Sequence, residues 1–126
     1  MTSILLVDDD PLQASLILSV LEQRFDDVLR VFDAADALCL IEQPEFADNL
    51  RLVISGHHLP GVGGPTLVNE LRSRAPNLPI LVLAAIGETP ADYAEAHVCF
   101  LPKPFAAAKM LSLASWMLSD PQAAVA

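Results

Sequence analysis

Three consecutive aspartates, Asp8-Asp9-Asp10, follow the apolar run Ile4-Leu5-Leu6-Val7. Adjacent carboxylates at the end of a strand are oxygen donors suited to a hard divalent cation such as Mg2+. Asp8 and Asp10 also have the Asp-x-Asp spacing of an aspartyl nucleophile with an acid/base partner. A second polar group, His57-His58, follows Leu52-Val53-Ile54-Ser55-Gly56. With Asp9 nearby, these imidazoles could ligate a transition metal, although adjacent histidines match no recognised ligand spacing and read more simply as two partly exposed loop residues. A third group is the Lys103 ammonium, set between Pro102 and Pro104. The strand tip facing these groups is Gly56, which has no side chain to attack a phosphoryl donor.

The elements that position these groups alternate. Ile4–Val7 predicts a first strand, and Pro11 opens a helix capped by Asp9 or Asp10. Leu12, Leu16, Ile17, Val20 and Leu21 recur at helical spacing in it up to about Arg24. Val28–Phe32 predicts a second strand, and Asp33 caps a helix with Ala34, Ala37, Leu38 and Ile41 inward, stopped near Pro44. Leu52–Ser55 is the third strand. A helix carrying Leu67, Val68 and Leu71 starts at Gly63-Gly64-Pro65 and ends before Pro76. Ile80–Ala84 is the fourth strand, Glu88–Ala96 a short fourth helix weakened by Pro90, Val98–Leu101 the fifth strand, and Phe105–Leu118 the last helix. Strands apolar on both faces imply a parallel sheet covered by helices on both sides. The expected fold is therefore α/β: a three-layer, doubly wound, five-stranded parallel sheet. In such sheets the loops at the strands' carboxyl ends share one edge, which brings Asp8, Asp9, Gly56, Ala84 and Lys103 together.

Composition narrows the function classes. The 126 residues suit one domain, expected over residues 1–119 with a flexible tail at 120–126. A net charge of −9, from 16 acidic and 7 basic residues, argues against nucleic-acid binding by this chain. No apolar run approaches the ~20 residues of a membrane span, and the N-terminus has no basic region of a secretory signal. The expected location is cytoplasmic, with Cys39 and Cys99 as reduced, largely buried thiols.

Three motifs in this order, Leu5-Leu6-Val7-Asp8-Asp9-Asp10-Pro11, then Leu59-Pro60-Gly61 with Gly64, then Lys103-Pro104-Phe105, resemble the receiver domain of two-component response regulators over nearly the whole chain. The resemblance implies a flavodoxin-like sheet with strand order 2-1-3-4-5. It also implies phosphoryl transfer from a kinase phosphohistidine to an aspartate, with Mg2+ on an acidic pair and a lysine on a phosphoryl oxygen. A hydroxyl at the end of the fourth strand and an aromatic residue on the fifth then carry the switch. Asp8 and Asp9 match the acidic pair, His58 the position whose carbonyl binds Mg2+, Lys103 the lysine and Phe100 the aromatic residue. The chain departs from the pattern at two places: Gly56 holds the phosphoacceptor position and Ala84 the hydroxyl position. Ser55 faces away by strand alternation, and Asp10 starts the first helix, so neither replaces the acceptor.

The expected function is that of a receiver-like protein-interaction module in phosphorelay signalling, independent of phosphorylation and not an enzyme. Without a third carboxylate, Asp8 and Asp9 are expected to pair with Lys103 and to retain residual Mg2+ binding at most. The partner, another protein or a second copy, is expected on the face of the fourth helix, fifth strand and last helix, through Met110, Leu113, Trp116 and Met117. That helix is apolar nearly all round, with Lys109 its one charged residue between Ala106 and Leu118. The segment Ala84–Lys103 is also short for the family, which reshapes this face. Two other readings are a small ligand in the space vacated at Gly56 and an aspartyl-nucleophile phosphatase. The second fits poorly, because the chain is short, lacks a cap domain and places Pro11 within the motif.

Overall fold

The computed structural model describes residues 2–57, 59, 61, 63–84 and 98–119. Five strands, β1 (Ile4–Val7), β2 (Val28–Val31), β3 (Leu52–Gly56), β4 (Ile80–Ala84) and β5 (Cys99–Pro102), form one sheet in the order β2-β1-β3-β4-β5. All four pairings are parallel. β1 and β3 have buried residues throughout, as central strands covered on both faces require. The expected flavodoxin-like arrangement, with its strand order, is present.

Alternation along the strands divides the core in two. Ile4, Leu6, Leu52, Ile54, Leu81, Leu83 and Leu101 point to one side, against α1 (Pro11–Glu22) and α5 (Ala107–Ser119). Leu5, Val7, Val53, Ile80 and Val82 point to the other, against α2 (Ala34–Ile41) and α4 (Gly64–Arg74). Arg74 crosses between helices on this second side, donating to Glu42 at 2.7 Å and to Glu70 at 2.6 Å.

Several expectations need correction. α1 buries Ala14, Ile17 and Leu21, whereas Leu12 and Leu16 stand 73% and 62% exposed. At 3.6 residues per turn they lie away from the Ala14, Ile17, Leu21 stripe, so the apolar spacing that marks the helix does not by itself mark its buried face. Pro44 does not simply end a helix. It is the first residue of a further one, α3 (Pro44–Asn49), where a missing N–H costs nothing. Phe32 lies beyond β2 and is exposed, with the Arg30 guanidinium 3.8 Å from its ring centroid. Cys39 is exposed and Cys99 half-buried, so the expected burial fails for Cys39. The helix expected over 88–96, His58, and the tail at 120–126 lie outside the described residues. No helix among the described residues is long and apolar enough to cross a membrane.

Candidate functional site

The site lies where β1, β3, β4 and β5 end side by side. Asp8 follows β1, and its backbone N–H donates to Val31 O at 3.1 Å. Gly56 is the last residue of β3 and is buried. Ala84 ends β4 and pairs in register with Pro102 of β5. The next backbone N–H, that of Lys103, donates to Ala84 O at 2.7 Å. Asp8, Gly56, Ala84 and Lys103 thus share one edge of adjacent strands, as the strand order requires. The Lys103-Pro104 peptide is cis.

Asp8 is only 4% exposed, yet its charge is well supplied with donors. Its Oδ1 accepts from the Asp10 backbone N–H at 3.0 Å, and its Oδ2 accepts from Gln13 Nε2 at 2.8 Å. The Arg30 guanidinium clamps the Asp8 carbonyl from the β2 side, with Nε and Nη2 at 3.0 and 2.8 Å. Asp9 is exposed, and among the described residues no side-chain hydrogen bond joins it to this network.

Gln13 is the residue that the sequence reading missed. Asp10 is the N-cap of α1, and its side chain accepts from Leu12 N and Gln13 N. A glutamine three residues after such a cap is the spacing of a capping box, in which it normally returns to the cap's own N–H. Here that N–H already belongs to Asp8, so the Gln13 amide goes to the Asp8 carboxylate instead. Its oxygen then accepts from Lys103 Nζ at 3.2 Å. This orientation of the amide is the one that sets an acceptor against the ammonium and a donor against the carboxylate.

The expected direct pairing of Lys103 with Asp8 or Asp9 is therefore wrong. Among the described residues no ion pair joins them; the charges communicate through a neutral amide. The donor set also fits a divalent cation poorly. With glycine at the end of β3, two carboxylates remain. One of these is exposed, and both oxygens of the other already accept N–H bonds. Hard cations want about six oxygen ligands, and among the described residues no three Asp, Glu, His or Cys side chains cluster as a metal site. His57, expected as a loop residue, is half-buried, and its carbonyl accepts from Gly64 N at 2.8 Å. Gly61 of the same loop takes a positive φ of 77°, which glycine adopts without steric cost.

Phe100 sits on β5 opposite Val82 and packs on the α2–α4 side of the core. On α5 the expected contact residues separate. Met110 and Met117 are each 1% exposed and belong to the core, because with Ala114 they form the stripe that faces the sheet. Leu113 is half-buried and Trp116 is 44% exposed. Only the latter two remain available to a partner.

Comparison with known proteins agrees with this architecture. The response regulator receiver domain family matches residues 4–115. This chain is a member of that family. Among curated relatives of the receiver, the response regulator protein FleR of Pseudomonas aeruginosa is 31% identical over 115 residues, covering 87% of this chain and 23% of FleR. The sensor kinase CckA of Brucella abortus is 29% identical over 122 residues, covering 92% of this chain and 12% of CckA. The receiver therefore spans less than a quarter of either relative. Among solved structures, the signal receiver domain of an HD domain-containing protein from Pseudomonas fluorescens superimposes with a TM-score of 0.84 at 25% identity, covering 96% and 97% of the two chains. The receiver domain of NtrX from Brucella abortus gives 0.79 at 27% identity, covering 93% and 98%.

Proposed function

We propose that this receiver has lost aspartyl phosphorylation and serves two-component signalling as a protein-interaction module whose conformation is set by sequence and partners. The observation that carries this reading is glycine at the end of β3, where the family motif has its acceptor carboxylate. Ala84 supports it, because the hydroxyl that would read a phosphoryl group is missing from the same edge. A modification biases a two-state equilibrium only through groups that interact differently with the two states, and both partners of that interaction are lacking in this sequence. Lys103, committed to Gln13, is consistent with an edge held in one arrangement. On this reading the domain works in the cytoplasm, catalyses nothing itself and meets its partner, or a second copy, through the α5 surface around Trp116 and Leu113.

The test is exposure of the purified domain to acetyl phosphate, or to beryllofluoride with Mg2+, followed by amide NMR. No saturable change at Asp8, Ala84 or Lys103 is expected. A saturable change that Lys103→Ala removes, or a labile phosphoryl adduct found by mass spectrometry after incubation with a kinase, would overturn the reading.

A further inference from the structure

A groove of about 430 Å3 runs between α1 and α5, a size typical of small-molecule sites (~300–1,000 Å3). It does not include Gly56. Its walls are apolar, from Leu16, Ile17, Val20, Phe105 and Met110, and the hydrophilic side chains lining it are those of Gln13 and Lys103. These two belong to the strand-end edge, whereas Val20 lies two turns further along α1. At 1.5 Å rise per residue the apolar part extends about 10 Å from Gln13. The groove thus has one cationic end and one oily end.

Among the described residues the cationic end lacks an anion. Lys103 is half-buried; among the described residues its one side-chain hydrogen bond goes to the neutral Gln13 amide, and no carboxylate of those residues lies within ion-pair distance. An ammonium partly removed from water gains most from a charged acceptor. We propose that the groove binds a monomeric medium-chain carboxylate, its head group on Lys103 and its chain along Leu16, Ile17, Val20, Phe105 and Met110. The protein's net charge of −9 opposes docking on an anionic bilayer, where repulsion sums over many head groups, more than it opposes a single carboxylate held at Lys103, which favours the free amphiphile. The outcome does not depend on whether Gly56 bars phosphorylation.

The experiment is titration of the 15N-labelled chain with decanoate, decanol and decyltrimethylammonium, each below its micelle-forming concentration. Decanoate is expected to shift the amides of the groove residues saturably and to bind about tenfold tighter than decanol, about 1.4 kcal/mol. Decyltrimethylammonium is expected not to bind. Lys103→Met and Lys103→Gln should each bring decanoate close to decanol, and Val20→Trp should abolish both by filling the groove. Equal affinity of wild-type protein for decanoate and decanol would overturn the proposal, as would shifts confined to other surfaces or the lack of saturation. Sedimentation with phosphatidylglycerol vesicles in place of monomer binding would also overturn it.

Discussion

Lys103 hydrogen-bonds Gln13 at 3.2 Å and reaches Asp8 only through it. Removing the amide should expose how much this edge relies on it. In Gln13→Ala the Asp8 Oδ2 loses its donor while remaining buried, which costs about 1–3 kcal/mol. Urea unfolding should show a loss in that range for Gln13→Ala. Gln23→Ala, at an exposed helix end, should stay within about 0.5 kcal/mol of wild type.

Gly56→Asp should be accepted by the fold. A Cβ placed at Gly56 meets no atom within 4 Å. The new carboxylate joins the edge that holds Asp8, and like charges there should lower the melting temperature without Mg2+. Three carboxylates should then bind Mg2+, so millimolar Mg2+ should raise the variant's melting temperature and leave wild type unchanged. Thermal melts followed by circular dichroism decide the point. Because Ala84 carries no hydroxyl, phosphate capture by the variant should not bring a complete conformational response.

The two sides of α5 should respond differently to truncation. Met110→Ala opens a cavity under the sheet and should cost about 2–5 kcal/mol. Trp116→Gln removes a half-exposed ring and should cost about 1 kcal/mol, yet it should abolish any self-association seen by light scattering at micromolar concentration. Trp116→Gln unfolding as readily as Met110→Ala would place the ring in the core.

Burial pushes the Cys99 thiol above its ordinary value, so the folded chain favours its neutral form. That contribution to stability is complete below the pKa of the unfolded thiol and is lost as pH rises through the folded value. Unfolding free energy should therefore fall more steeply on the alkaline side in wild type than in Cys99→Ala. At mildly alkaline pH, iodoacetamide should modify the exposed Cys39 before Cys99, and the lag should shorten as pH rises.

Much of the fold is legible because its strands are short apolar runs bounded by unmistakable breakers. Ile80–Ala84, read from the sequence between Pro79 and Gly87, is found as read. Helix faces are less legible. Ala14 and Ala114 occupy inward positions where a small side chain lets helix and sheet approach, while Leu12 and Leu16 remain outside. Hydropathy ranks those residues in the wrong order. Pro44 misleads for a different reason: proline that cannot continue one helix is well suited to begin the next. In the site, Asp8, Gly56, Ala84 and Lys103 follow from strand order alone. Gln13 does not, because its role depends on a backbone N–H already claimed by Asp8, a competition that no spacing rule records.

The Arg74 crosslink to Glu42 and Glu70 ties the end of α2 to α4 on one flank of the sheet. On the opposite flank, the turn that follows α1 is linked to α5 by the hydrogen bond from Arg24 to Ser115, and among the described residues no side-chain hydrogen bond joins α1 itself to α5. Mechanical give is thus unevenly distributed: a wedge entering between α1 and α5 would splay that pair while the braced flank kept its shape, and the displacement would be carried along α5 towards the Arg51 contact at Leu118.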